Sequence, residues 1–136
     1  MRIALSEEIK ALLDRPNYGH LATVMADGSP HVAPVWVARE GDHVLVGIGD
    51  GSVKGKNTRR DPRVALSIVD VADPYRMAQL RGRVVERRRD PDFALKDAMS
   101  RKYVGKPFPW RYPDGVILVL EVERARFQQI PLQHAP

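Results

Sequence analysis

A small, mainly β barrel with short helices is the fold class this sequence predicts, and three observations carry the prediction. Short runs of β-branched and apolar residues recur at about ten-residue spacing, separated by Gly, Asp and Asn turn signals. The 136 residues allow one hydrophobic core and are too few for two ordinary domains. Helix signatures are confined to two or three short segments. Six antiparallel strands closed on themselves also solve the edge problem of so short a chain, because a closed sheet leaves no unpaired edge.

Taken in order, Ser6 caps a helix running to about Asp14, with Ile9, Leu12 and Leu13 as its apolar stripe and Arg15-Pro16-Asn17 as the break. This helix is expected to cover one end of the barrel. Tyr18 to Met25 reads as a strand, Ala26-Asp27-Gly28-Ser29 as a hairpin turn, and Pro30 to Ala38 as the return strand. Glu40-Gly41-Asp42 turns the chain into a third strand, Val44 to Ile48. Ser52 then caps a basic helix that must stop near Asp61, because Pro62 disfavours helical backbone at the residue before it. Val64 to Val69 is the fourth strand, and Asp70 to Pro74 a polar break. Arg76 to Arg88 is a long, bent strand in which Gly82 marks a bulge or a close approach. Asp90-Pro91 predicts a helix start, with Leu95, Ala98, Met99 and Tyr103 on one face and Gly105-Lys106-Pro107 as the stop. An aromatic, proline-rich loop, Phe108 to Asp114, leads to the last strand, Gly115 to Phe127. Residues 1–136 thus read as one domain without internal repeats, in which 128–136 is a loose tail.

The most informative stretch is Gly47 to Arg63, a strand, a glycine-rich turn and a capped helix carrying five cations. Free backbone N–H groups and the positive end of the helix dipole favour an anion there, and Lys54 and Lys56 add charge. The segment is read as a phosphate site, against the plainer alternative of a solvated basic face. Geometry sets a condition: at about 100° per residue, Lys54 and Lys56 point to nearly opposite sides of a regular helix. They converge on one anion only if Lys54 sits at or before the helix start. Asn57 lies one step further round, where its amide can donate to a ligand oxygen or to a neighbouring loop carbonyl. Arg59, Arg60 and Arg63 read as surface or ion-pair residues.

Several functional classes are disfavoured. There is no cysteine, so disulfide and thiolate chemistry are excluded. Four histidines, His20, His31, His43 and His134, have no metal-ligand spacing. His20 and His31 are expected to face each other across a strand pair, and His31 is kept as a pocket candidate. The serines lack His-Asp partners and a nucleophile-elbow pattern. No apolar run approaches the roughly 20 residues of a membrane span, no secretory leader is evident, and cytoplasmic location is expected. A net charge of +5 favours an anionic partner. A phosphate cradle on a β-barrel without an acid-base set is most economically explained by a cofactor that brings its own chemistry.

Five ordered motifs then carry a resemblance. They are Gly19-His20-Leu21-Ala22-Thr23-Val24, the run from Asp27 to Val37, Lys54-Gly55-Lys56-Asn57-Thr58-Arg59-Arg60-Asp61-Pro62-Arg63-Val64-Ala65-Leu66-Ser67, Asp73-Pro74-Tyr75-Arg76, and Leu80-Arg81-Gly82-Arg83-Val84. Together they resemble the split β-barrel proteins related to pyridoxamine 5′-phosphate oxidase, and within them the branch using the deazaflavin coenzyme F420. Lys102-Tyr103-Val104-Gly105 and Pro109-Trp110-Arg111 match that branch too. The resemblance implies a homodimer with cofactors in grooves between the barrels, and hydride transfer to an electron-poor small-molecule substrate. By position it implies that Lys54, Lys56 and Asn57 grip the coenzyme phosphate and that Pro34, Val35 and Trp36 lie along the tricyclic ring. Tyr75 and Arg76 would close the groove, over the partner subunit's cofactor in one arrangement, and Tyr75 is the candidate proton donor. Trp36 and Trp110 are candidates for the substrate pocket. Two departures from the branch, Ser52 where a cation is common and the small Gly55, are expected to loosen the grip on the coenzyme's acidic tail. The competing readings are an FMN-binding oxidoreductase of the same fold, a non-catalytic flavin or tetrapyrrole carrier, and nucleic-acid binding through Arg81 to Arg89. The last lacks interleaved aromatic residues and is not favoured, and no membrane partner is expected.

Overall fold

A computed structural model describes residues 2–136. Three helices and seven strands follow one another as α1 (Glu7–Asp14), β1 (Gly19–Val24), β2 (Pro30–Val35), β3 (Val37–Glu40), β4 (His43–Gly49), α2 (Val53–Arg60), β5 (Arg63–Asp70), β6 (Asp73–Arg89), α3 (Ala94–Val104) and β7 (Gly115–Gln129). All strand pairs are antiparallel, and the sheet runs β2-β1-β5-β6-β7-β4-β3.

There are seven strands rather than the six expected, because the predicted strand from Pro30 to Ala38 is interrupted at Trp36. Val35 still pairs with Gly19 of β1, whereas Val37 pairs with Val46 of β4, at the other end of the sheet order. The backbone changes partner within one residue. Helix α3 secures the change: the Tyr103 hydroxyl accepts from the Val37 N–H at 3.0 Å, and the Lys102 ammonium donates to the Val37 carbonyl.

Ser6 and Ser52 cap α1 and α2 as their sequences predict, each accepting from the N–H three residues on. Ile9, Leu12 and Leu13 of α1 enter a core that also holds Leu21, Val35, Val37, Val46, Leu66, Leu80 and Leu118. On the opposite face of β4 and β7, Leu45, Ile117 and Val119 pack with Met99 of α3 in a second cluster. Two buried faces explain why Val116 to Leu120 is continuously apolar instead of alternating. Gly82 lies at a register shift of β6 against β7, as its position in a long strand implies.

Two boundaries and two facings differ from the sequence reading. Helix α3 begins at Ala94, not after Asp90-Pro91, because Asp90 reaches forward to accept from the N–H groups of Leu95 and Lys96 at 3.1 and 2.9 Å. Phe93 enters the helix in the left-handed region, with φ 59°. Ala98 is exposed, while Asp97, Met99 and Ser100 form the buried side. β7 continues to Gln129, so the tail begins later than expected; Ile130 still donates to the Tyr75 carbonyl. His20 and His31 do not face each other, since His20 pairs with Pro34 and His31 with Thr23.

The Lys102 ammonium also donates to the Leu13 carbonyl at 2.8 Å, tying α3 to the end of α1. Its burial pushes its pKa down to about 8, from an ordinary 10.5. The unfolded lysine keeps its proton to higher pH, so between about 8 and 10.5 the unfolded chain binds more protons than the folded one. Stability attributable to this group therefore rises with pH across that window. Thermal midpoints measured at pH 7.5 and 9.5 are expected to show the rise in the wild type and to lose it in Lys102→Met; an equal slope in both proteins contradicts the assignment.

Candidate functional site

The β4–α2 corner is built on glycine and arginine. Ser52 closes the turn, its hydroxyl donating to the Gly49 carbonyl at 2.6 Å and accepting from the Gly55 N–H at 3.1 Å. A side chain at Gly55 would place its Cβ 2.3 Å from the Asp50 carbonyl oxygen, so α2 can lie against this turn only with glycine there. Arg87, from β6, fastens the corner: it donates to Asp50 at 2.6 Å, to the Gly55 carbonyl at 3.1 Å and to the Thr58 hydroxyl at 2.9 Å. Hydrogen bonds from Arg87 and then Arg59 hold the Asp50 carboxyl below its ordinary pKa. The two departures noted in the sequence thus have structural work, Ser52 as cap and Gly55 as contact surface.

Beside this corner lies a cleft of about 310 Å³, lined by Tyr18, Pro34, Val35, Trp36, Gly47, Lys54, Lys96 and Phe108. Four predicted site residues meet here: Pro34, Val35, Trp36 and Lys54. Trp36 is stacked on Tyr103, with ring centroids 5.1 Å apart and planes inclined by 5°, and meets Phe108 edge-on at 6.0 Å. The Phe108 loop is held by Asp97, which accepts from the Phe108 N–H at 3.1 Å and from Arg111 at 3.0 Å. The result is a fixed aromatic wall with a lysine at the first turn of α2. The N–H groups of Val53 and Lys54, at the first two helical positions, have no acceptor within the helix.

The other predicted residues fall elsewhere. Lys54 is the second residue of α2, so the condition for two lysines to converge is not met, and Lys56 is exposed outside the cleft. Asn57 is 3% exposed; its amide donates to the Thr23 hydroxyl at 3.0 Å and its carbonyl accepts from Arg60 at 2.8 Å. That side chain is committed to holding α2 on β1. Tyr75 and Arg76 begin β6, where Arg76 lies 4.9 Å over the Phe127 ring and Tyr75 packs near His134, and neither lines the cleft. Trp110 is 68% exposed and also lies outside it. His31 does not line it either, although its Nδ1 is buried without a partner among the described residues. A larger hollow of about 530 Å³ runs over the sheet face between β1 and β7, past His20, Val32, Gln79, Arg81 and Arg126, and is lined by none of the predicted site residues.

Sequence reasoning missed Lys96, Tyr18 and Phe108. Lys96, on α3, has its ammonium 4.8 Å from the Phe108 ring centroid. Burial, and then the charge of Lys54, lower its pKa. A lone lysine in a mixed helix carries no local signal of such a place. Three of the five arginines in the basic run Arg81 to Arg89 are engaged by carboxylates of the chain itself: Arg83 reaches Glu121, Arg87 holds Asp50, and Arg88 bridges Glu86 and Glu40. Among the described residues no cluster of metal-ligating side chains occurs, and no helix is long and apolar enough to cross a membrane.

Comparison with known proteins adds to this geometry. The pyridoxamine 5′-phosphate oxidase family pattern matches residues 5–129. Among solved structures, one described as an F420 reductase is 34% identical, with a TM-score of 0.79, over 90% of this chain and 98% of that one. A heme-binding protein from Mycobacterium smegmatis is 27% identical, with a TM-score of 0.67, over 92% of this chain and 55% of that one. A conserved hypothetical protein from Mycobacterium tuberculosis, 22% identical over 99% of this chain and 94% of that one, shares the fold with a TM-score of 0.72. No curated protein matches the chain.

Proposed function

The chain belongs to the pyridoxamine 5′-phosphate oxidase family, and from that premise we propose that it is an oxidoreductase that binds the deazaflavin coenzyme F420 in the cleft beside Trp36 and Lys54. The observation that carries the reading is the 34% identity to the F420 reductase, spread over 90% of this chain. The residues present fit such a ligand: a cation and two unpaired amides at the start of α2 suit a phosphate, and the rigid Trp36–Tyr103 stack suits a flat ring.

Bound F420 supplies hydride transfer to or from an electron-poor organic substrate. The chain's own part is positioning and electrostatics. Lys54 with the Val53 and Lys54 amides would hold the phosphate, Asn57 and Arg87 keep α2 in place, and Trp36 and Phe108 would shield the ring from water. Tyr75 and Arg76 reach a cofactor only from a second copy of the chain, which places them, in this reading, in a homodimer whose grooves lie between the barrels. Tyr75 as proton donor requires that arrangement.

The test is a pair of parallel fluorescence titrations of the protein with F420 and with FMN. Tight, saturable F420 binding with weak FMN binding is expected; a preference for FMN would move the chemistry to flavin redox on the same fold. Binding of heme or flavin without substrate reduction would instead identify a carrier. In the same assay Lys54→Ala is expected to weaken F420 binding by about 1–3 kcal/mol, the range of a charge-assisted hydrogen bond. Lys56→Ala, on the exposed side of α2, is expected to cost less than about 0.5 kcal/mol. Equal losses in the two variants would contradict the assignment of Lys54 alone to the cleft.

A further inference from the structure

The cleft holds a second cation that phosphate recognition does not use. Lys96 lies on the aromatic side of the cleft, its ammonium 4.8 Å from the Phe108 ring centroid and 6.0 Å from that of Tyr112. Gly47 of β4 makes the space for it: a Cβ there would stand 3.1 Å from the Lys96 Nζ. Among the described residues no carboxylate forms an ion pair with Lys96. The charged and titratable groups around it are Lys54 from α2, Asp90 from the turn before α3, and Tyr112 from the loop before β7. Asp90 offsets these effects only in part: it forms no ion pair with Lys96, and its two oxygens are turned to the amides of Leu95 and Lys96.

A half-buried ammonium beside another lysine is costly unless something negative joins them. Aromatic faces supply part of that negative potential, but a face is weaker than an anion. Two cations in one cleft, one at a helix start and one among aromatic rings, can serve two negative groups of a single ligand. In the F420 reading one of these groups is the phosphate, and the aromatic surroundings of Lys96 favour the flat ring as the other.

We propose that Lys96 recognises the ring of the bound deazaflavin and holds that ring in its ionised, negatively charged form. The inference rests on the F420 reading above and extends it from where the cofactor sits to which charge state the protein selects. The F420 ring carries a phenol-like hydroxyl, so its charge can change with pH, and an adjacent ammonium favours the anion.

The test follows the ring's ionisation by absorbance in a pH titration of protein-bound F420, for the wild type, Lys96→Met, Lys96→Gln, Lys96→Arg and Lys54→Ala. Methionine keeps the apolar stem that packs on Phe108, and glutamine keeps a polar head, so one of the two remains usable if the other folds poorly by thermal melting. In the wild type the ring is expected to ionise at least about one pH unit lower than in Lys96→Met or Lys96→Gln, a tenfold change in proton affinity. Lys96→Arg is expected to restore the low midpoint. Lys54→Ala is expected to weaken binding while leaving the midpoint closer to wild type than either Lys96 replacement does. Identical midpoints in the wild type and the neutral Lys96 variants, with F420 still bound, overturn the role of Lys96 and leave the F420 reading standing. Failure of the wild type to bind F420 overturns both.

Discussion

Gly82→Ala is expected to cost the fold more than about 4 kcal/mol, at the upper end of overpacking effects, and to abolish a cooperative unfolding transition under ordinary conditions. The added Cβ would stand 1.9 Å from the Glu121 carbonyl oxygen, 2.9 Å from its carbon and 3.1 Å from the Val122 Cα. All three are backbone atoms of β7, so no side-chain rotation relieves the clash. Separating the strands is the alternative, and it opens the pairing of Arg83 with Glu121 and Val84 with Leu120, beside the bulge. Chemical denaturation of the purified variant checks this. A midpoint within experimental error of the wild type would mean that β6 and β7 approach each other less closely than described.

Gly55→Ala is expected to separate binding from folding. Its Cβ would lie 2.3 Å from the Asp50 carbonyl oxygen and 2.8 Å from that of Gly49, which pushes α2 away from the turn. The Arg87 contact with the Gly55 carbonyl and the Ser52 cap are disturbed together. Because α2 is short and peripheral, the barrel should survive with a loss of about 1–3 kcal/mol. The start of α2, however, carries Lys54 and the free amides, so F420 affinity should fall at least about a hundredfold, or roughly 2.7 kcal/mol, at or beyond the upper end of the fall for Lys54→Ala. A thermal melt and an F420 titration on the same sample distinguish the two effects. Wild-type affinity in a folded Gly55→Ala protein would rule out the α2 corner as the phosphate site.

Much of this architecture is legible in local chemistry. Ser6 and Ser52 announce their helices because an N-cap satisfies an amide three residues on, a purely local bond. Gly82 stands out because a glycine inside a long strand needs a reason. The break at Trp36 is not legible: Val35 and Val37 are both ordinary strand residues, and the switch between them is fixed by Tyr103 and Lys102, more than sixty positions away. Helix α3 misleads in a similar way, since Asp90-Pro91 looks like a start and Asp90 does serve as a cap, but from four residues before the helix. For the site, the sequence locates Lys54 and Trp36 through their neighbours. Lys56 and Asn57 follow them in the motif without sharing the cleft, because helical rotation turns one to solvent and the other to the core. Lys96 is invisible until α3 is docked.

The placement of Trp36 also orders the steps by which the chain assembles. The β1–β2 hairpin and the β3–β4 hairpin on either side of it are local, and such hairpins form within about 1–10 μs. Yet they belong to opposite ends of the sheet, and nothing joins them except one residue until β7 pairs with β4 across more than sixty positions of chain, His43 meeting Glu121. That long-range pairing carries the entropic cost of loop closure and sets the pace of folding. On the ribosome, where synthesis proceeds at about 5–20 residues per second, the two hairpins wait for seconds with their apolar faces uncovered before residues 115–129 arrive to enclose them.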